Sequence, residues 1–414
     1  MSGQAAHRLD PAGHGWMTAP ETRAVMEALN GPGGDRARFV GGCVRNALIG
    51  APVDDVDIAT VLEPGQSTAK LEAAGIKVIP TGVEHGTVTA VCGGKPFEVT
   101  SLRKDVETFG RRAVVAFTTN WEEDAGRRDF RLNAIYARAD GTLFDPFGGV
   151  EDARAGRVVF IGRAEDRIAE DHLRILRFYR FTAWYGRAID PDGHVACVAM
   201  RETLHGLSAE RVWRELKKLL AAPDPRAAVR AMLEGHILNE VLPGRVDFNL
   251  FAGIINADRG KNRAADPLLR LVALLGRDED ATASMMAVMK TSKAETARTE
   301  AMTGPAEAVP SGALRPGMTP ALRNRALYAL GADAVIARLR LDEAEGLGSA
   351  DADIEAAGVW TRPRFPVKGK DLIALGYAPG PALGEALARL EAEWIESGFT
   401  LDKASLLARA GGGA

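Results

Sequence analysis

A chain of 414 residues is longer than one typical hydrophobic core and points to about two to four domains. The formal net charge of −3, from 52 Lys and Arg against 55 Asp and Glu, argues against a protein that coats nucleic acid indiscriminately but leaves room for a local basic groove. Three widely spaced cysteines (Cys43, Cys92 and Cys197) argue against a disulfide framework and a zinc site. With no signal-peptide core and no apolar run of membrane-spanning length, the expectation is a cytoplasmic protein with no membrane partner.

Residues 1–20, rich in Gly, His and Pro, read as a loose N-terminus, and a helix is expected over 21–29 with Thr18 as candidate N-cap. Between Arg38 and Leu102 short strands alternate with one helix, near 64–74. The strands are expected at 39–40, 56–59, 77–80, 87–92 and 97–101. In the fourth, Val88, Ala90 and Cys92 alternate with Thr87, Thr89 and Val91, as a half-buried strand requires. Residues 103–128 are polar and aperiodic. They read as a long mobile loop with an embedded strand at 114–117, and loops of that length are functional or disordered. A helix is expected from Asp129, a strand at 143–147, and Gly148-Gly149 ends the first domain. From about Ala164 helical periodicity dominates: 165–184, 208–221, 224–235, 263–275 and on to 401–410. Met285, Met286 and Met289 read as core filler.

Chemistry gathers first at Phe39–Thr60. Gly41 and Gly42 follow a short strand and lead into a helix carrying Arg45; after the Gly50-Ala51-Pro52 break comes a strand holding Asp55 and Asp57. Side chains two apart on a strand share a face, so the two carboxylates point together and repel unless a cation lies between them. Oxygen-only ligands favour Mg²⁺ or Mn²⁺. The glycines let the backbone amides at a helix start approach an anion, and Arg45 adds a mobile positive charge. Glu98, on a neighbouring strand, reads equally as a third metal ligand, a proton acceptor or a solvent-facing Glu.

Arg127 and Arg128 stand before Asp129 and Asn133. On one helix face that pair would hold two ribose hydroxyls; the alternative is an N-capping Asp beside solvated arginines. Glu170, Asp171 and Arg174 share one helix face, continued by Arg177 and Arg180. They read either as intrahelical ion pairs or as a base-reading edge, since a carboxylate accepts from an exocyclic amine and Arg donates to a ring acceptor. Arg211, Arg214, Lys217 and Lys218 form a basic helix face that either follows an RNA backbone or is merely solvated.

Taken in order, Gly41-Gly42-x-Val44-Arg45, Asp55-x-Asp57-Ile58-Ala59-Thr60, Arg127-Arg128-Asp129-Phe130 with Asn133-Ala134, Asp145-Pro146 with Gly148-Gly149, Glu170-Asp171 with Arg174-Ile175-Leu176-Arg177, and Glu210-Arg211 with Glu215-Leu216 resemble the class II tRNA nucleotidyltransferases. That family holds the CCA-adding enzymes and bacterial poly(A) polymerases, and the chain is most similar to a bacterial CCA-adding enzyme. Lys370-Asp371-Leu372, Gly376, Pro379-Gly380-Pro381 and Gly384 resemble the family's C-terminal signature more loosely.

The resemblance implies an α+β chain. A small polymerase-β-like nucleotidyltransferase head (21–150) is followed by an all-helical neck (151–222, base selection), body (223–330) and tail (331–414, tRNA binding). It implies addition of CCA to tRNA 3′ ends from CTP and ATP, with contacts to the 3′ end and the acceptor stem and elbow. Two Mg²⁺ ions would sit on Asp55 and Asp57. Gly41, Gly42 and Arg45 would contact the triphosphate, Asp129 and Asn133 the ribose, and Glu170, Asp171 and Arg174 the base. The 103–126 loop would help switch from C to A. One departure stands out: Asn46 occupies the place after Val-Arg where the family usually has Asp. A poly(A) polymerase, a CC-only or A-only enzyme, and a non-catalytic RNA-binding protein are the competing readings.

Overall fold

The computed structural model describes residues 7–109, 112–305, 309 and 312–410. The chain divides into two compact units, Met1–Leu242 and Pro243–Ala414. The expected boundary at 222 falls inside the first, because the helix that follows it packs onto a neck helix.

The N-terminal residues expected to be loose carry defined structure from His7 onward. The Leu9 amide donates to the Gly141 carbonyl (2.9 Å), and a helical turn, α1 (Gly15–Thr18), precedes α2 (Pro20–Asn30). Thr18 ends α1 and does not cap α2, whose N-cap is Ala19. The head follows as β1 (Ala37–Val40), α3 (Gly42–Ile49), β2 (Asp57–Thr60), α4 (Pro64–Ala73), β3 (Lys77–Gly82), β4 (Thr87–Cys92) and β5 (Lys95–Ser101). Next come β6 (Arg103–Phe109), β7 (Arg112–Phe117), α5 (Trp121–Gly126), β8 (Tyr136–Ala137) and β9 (Leu143–Phe144).

The seven-stranded sheet runs β3-β4-β5-β2-β1-β8-β9. Among the described residues only β2 and β5 pair in parallel, which sets Asp57 opposite Glu98 and Ile58 opposite Val99. Phe39, Ile58, Val99 and Tyr136 are fully buried.

Three expectations fail here. The supposed long loop contains a second, two-stranded sheet: β6 and β7 form an antiparallel hairpin, and the strand expected at 114–117 lies within β7. No α-helix begins at Asp129; residues Arg131–Asn133 make a single 3₁₀ turn. Gly148-Gly149 starts a helix, α6 (Gly149–Ala155), and does not close a domain. Asp145 accepts the Gly149 and Val150 amides (2.8 Å each), and a Cβ at Gly149 would lie 2.1 Å from the Arg131 carbonyl oxygen.

The helices α7 (Ala164–Glu170), α8 (Arg174–Tyr185), α9 (Pro191–Ala199), α10 (Ala209–Leu220) and α11 (Arg226–Glu234) complete the first unit. Both α10 and α11 pack on α8. One expected helix over 165–184 is therefore two, separated at 171–173.

The second unit is all helical: α12 (Phe248–Gly260), α13 (Pro267–Leu274), α14 (Glu279–Val288), α15 (Lys293–Thr303), α16 (Pro320–Leu330), α17 (Ala332–Ala344), α18 (Asp351–Val359), α19 (Gly369–Ile373), α20 (Pro381–Glu396) and α21 (Lys403–Ala410). Met285, Met286 and Met289 lie in its core. Asp371 of the C-terminal signature accepts the Lys368 amide and pairs with Lys403 (2.7 Å), joining α19 to α21. No helix among the described residues is long and apolar enough to cross a membrane.

Candidate nucleotidyltransferase cleft

The first unit holds an open cleft of about 470 Å³ lined by Gly41, Gly42, Arg45, Asp57, Arg127, Arg128, Asp129, Asn133, Asp171, Leu173, Arg174, Arg177, Phe181 and Arg211. Twelve of the residues singled out in the sequence meet here. Asp55, Glu98, Glu170 and Arg180 do not line it.

The carboxylate edge comes from β2. Strand pairing begins at Asp57, so Asp55 precedes the strand and is exposed. The alternation expected to aim both acids together is absent. What links them is charge: burial, then Glu98, then Asp55 push the Asp57 carboxyl up to about 6, while Arg128 and Arg45 pull the other way. Glu98 is thus a close electrostatic neighbour, through its register opposite Asp57. Among the described residues no three His, Cys, Asp or Glu side chains converge tightly enough to hold a metal alone. The donor set nonetheless fits Mg²⁺, which is commonly held by one or two carboxylates with substrate phosphates and water supplying the rest.

The phosphate side is the start of α3. Gly41 sits at φ +69°, a conformation that favours glycine, and opens the helix N-terminus toward the cleft. Arg45 is not the mobile charge expected. It is 6% exposed. Its Nε and NH2 donate to Asn46 Oδ1 (3.2 and 2.9 Å), its NH1 to Asn133 Oδ1 (2.6 Å) and its NH2 to the Tyr185 hydroxyl (2.8 Å), and it stacks on the Tyr185 ring. Asn46 also donates to the Pro52 carbonyl (2.7 Å), a bond the acceptor-only carboxylate of an Asp would not make.

Arg128 is backed by buried Asp124 (3.1 Å) and by the Tyr136 hydroxyl (3.1 Å). Burial opposes ionisation of Asp124, but Arg128, Arg127 and the Tyr136 hydroxyl more than offset it and hold the carboxyl at about 2. Asp124 and Tyr185 carry no motif signal; only their contacts reveal them as supports. Leu173 and Phe181 supply the apolar part of the lining.

Asp129 and Asn133 do come together, though not on an α-helix. Asn133 donates to Asp129 Oδ1 (3.0 Å), as does the Phe130 amide (2.8 Å), and Arg177 donates to Oδ2 through Nε (2.8 Å) and NH2 (2.5 Å). The carboxylate is already satisfied, so a ribose at this pair must exchange with one of these donors. Arg180 turns to Glu215 (2.5 Å).

Asp171 is the extended residue between α7 and α8. One oxygen accepts the Leu173 amide (3.2 Å) and the other the Arg211 guanidinium (2.7 Å). Arg174 donates to the Arg167 and Arg127 carbonyls (2.9 and 3.0 Å) and to Glu170 (2.5 Å). Glu170 is occupied by Arg167 and Arg174. The expected shared helix face does not exist: Glu170 ends one helix and Arg174 begins the next.

Residues 37–159 match the poly A polymerase head domain, and 188–248 match a probable RNA- and SrmB-binding site of polymerase A. CCA tRNA nucleotidyltransferase 1, mitochondrial, of Mus musculus is 34% identical over 89% of this chain and 85% of its own length. The chain belongs to the CCA tRNA nucleotidyltransferase family. A CCA-adding enzyme of Geobacillus stearothermophilus is 41% identical over 54% of each chain. The crystal structure of a Bacillus stearothermophilus CCA-adding enzyme in complex with CTP superposes with a TM-score of 0.75 at 28% identity, covering 94% of this chain and 96% of that one. The α+β architecture with a helical remainder is that of this family.

Proposed function

We propose that this chain adds C, C and then A to tRNA 3′ ends from CTP and ATP, without a nucleic-acid template and with release of pyrophosphate. One observation carries the reading. The cleft that Asp57 and the start of α3 line is also lined by Asp171 and Arg174, so phosphate chemistry and base choice share one cavity built from protein.

Asp55 and Asp57, with Glu98 beside them, are the residues to hold two Mg²⁺ ions; when bound, these acidify the attacking hydroxyl and steady the triphosphate and leaving pyrophosphate. The 3′ oxygen forms a bond to the α-phosphorus as the bond to the bridging oxygen breaks, and Glu98, beside Asp57 at the edge of the cleft, would accept the hydroxyl proton. The α3 N-terminus receives the triphosphate, with Arg45 and Arg128 held rigidly beside it. Asp171 accepts from the exocyclic amine of C or A, and Arg174 donates to the adjacent ring acceptor; U and G do not present that pair. For Asp171 to do so, its bond to Arg211 must open or be shared.

In this reading residues 21–150 perform the chemistry and 151–222 choose the base. Residues 223–242 pack with the neck, so the body runs from about 243 to 330, with 331–414 as the tail that grips the tRNA. A cytoplasmic setting belongs to the same reading and is supported by three free thiols. The test is incubation with tRNA lacking CCA and each labelled nucleotide, alone and in pairs. The expected result is two additions from CTP alone, completion with ATP, and none from UTP or GTP. A long A tract from ATP alone would overturn the proposal in favour of a poly(A) polymerase, and no incorporation in favour of a binding protein.

A further inference from the structure

The basic face of α10 has a direction. Val212, Trp213, Glu215, Leu216, Leu219 and Leu220 are buried, while Arg214, Lys217 and Lys218 are exposed. Arg211, Arg214 and Lys218 lie three and then four residues apart and so share one side of the helix. Arg211 lines the cleft and pairs with Asp171. At the other end, the Lys218 carbonyl accepts the indole N–H of Trp184 at 2.8 Å. Trp184, on α8, is 42% exposed, although large aromatic side chains are normally well buried. Its polar edge is tied down, which fixes the ring while leaving much of it open to solvent. Its neighbour Tyr185 is the residue that holds Arg45.

A stripe of cations therefore starts inside the cleft and ends at an anchored aromatic ring. Seven helical residues span about 10 Å, room for roughly three stacked nucleotides at about 3.4 Å each. Cations tracking a backbone toward an aromatic stacking surface are how proteins hold single-stranded nucleic acid.

We propose that this stripe is the track for the single-stranded 3′ end of the RNA substrate, with Trp184 as the platform on which a base upstream of the growing terminus stacks. The proposal rests on the CCA-adding reading for its substrate, and its test separates the two. Trp184→Ala, Trp184→Phe and the double variant Arg214→Ala/Lys218→Ala are compared in the full chain. CTP incorporation into tRNA lacking CCA is measured with tRNA varied at saturating CTP, then with CTP varied at saturating tRNA. Trp184→Ala should raise KM for tRNA roughly tenfold and leave KM for CTP unchanged. Trp184→Phe should recover most of the loss, which a misfolded variant would not. The double variant should flatten the dependence of tRNA KM on salt. Unchanged tRNA KM in all three variants overturns the track, as does an equal rise in KM for CTP, which would make Trp184 a support for Tyr185. If the wild-type chain incorporates nothing, the CCA reading falls. Binding of a labelled single-stranded RNA oligonucleotide then decides the track alone, weakened by Trp184→Ala if the track is real and unaffected if not. Light scattering on the same variants covers the remaining occupant: a dimer that Trp184→Ala dissociates, with RNA binding intact, would assign the surface to a second copy and overturn the proposal.

Discussion

Asp57 concentrates the conflict between stability and function. Its carboxyl sits near 6 because burial, Glu98 and Asp55 all disfavour its charge. A raised carboxyl contributes stability that is present below the ordinary carboxylate range and is lost as pH rises through about 6. In metal-free protein at pH 7.5, Asp57→Asn should therefore raise the unfolding free energy, by at most about 3 kcal/mol, while abolishing nucleotide incorporation. Paired urea titrations and incorporation assays check both halves; a destabilised variant would mean that the carboxylate is satisfied in the fold. With Mg²⁺ subsaturating, the wild-type rate should climb as pH rises toward neutrality, and raising Mg²⁺ should move that climb to lower pH, because the charged form is the one that grips a cation. Arg174 poses a different question. Arg174→Ala removes the donor beside Asp171 and should erode the preference for CTP and ATP over UTP and GTP by about 1–3 kcal/mol, more than it raises KM for the triphosphate. Competition between nucleotides in one reaction reads that difference directly, and an undiminished preference would remove Arg174 from base choice.

Between residue and molecule stand the short elements, and here the legibility of the sequence was uneven. Strands β4 and β5 were readable because one face of each is buried, which imposes the two-residue period, whereas β1 is buried along its whole length and reads as a short apolar run. Of the β6–β7 hairpin only the 114–117 stretch of β7 was readable: Arg103-Lys104-Asp105-Val106-Glu107 shows no such period, and the hairpin is held by its own ladder. The break between α7 and α8 was hidden for a different reason. The helical period runs straight through it, but the Asp171 side chain accepts the Leu173 amide and its carbonyl accepts the Arg174 amide, a local turn that competes with the helix. The residues of the candidate cleft were found where motif and contact coincide, at Asp57, Asn133 and Arg174. Those acting only as supports, Asp124 and Tyr185, were missed. The hairpin's base is anchored to the cleft wall: the Arg103 amide donates to Asp124 (3.2 Å), and the Arg103 carbonyl accepts from Arg127 (3.1 Å), whose own carbonyl receives Arg174. Replacing residues 105–115 by a short turn keeps those anchors. It should spare the two C additions and stop the A addition, as product lengths on a sequencing gel would show. Equal loss of both would make the hairpin structural.

At the scale of the whole chain, the two compact units have separate cores, one around Val40, Ala59 and Tyr136 and the others around Leu327, Val335 and Leu390. All residues of the cleft belong to the first unit. Ligand that binds only the folded cleft stabilises what it touches, by about 2.7 kcal/mol at a hundred times its Kd. Calorimetry should therefore resolve two transitions, and CTP with Mg²⁺ should raise only one of them. The second transition can be moved independently. Arg340 on α17 donates to Asp258 on α12 at 2.6 Å, and Asp258 is 2% exposed. Arg340→Met removes the direct donor to that carboxylate and leaves it the charges of Arg270 and Arg263, a loss of at most about 3–5 kcal/mol for a buried pair broken on one side. It should lower the transition that CTP leaves alone while the CTP-responsive one stays fixed. If a single transition appears, and CTP and Arg340→Met both displace it, the two units unfold as one and the cleft draws its stability from the entire chain.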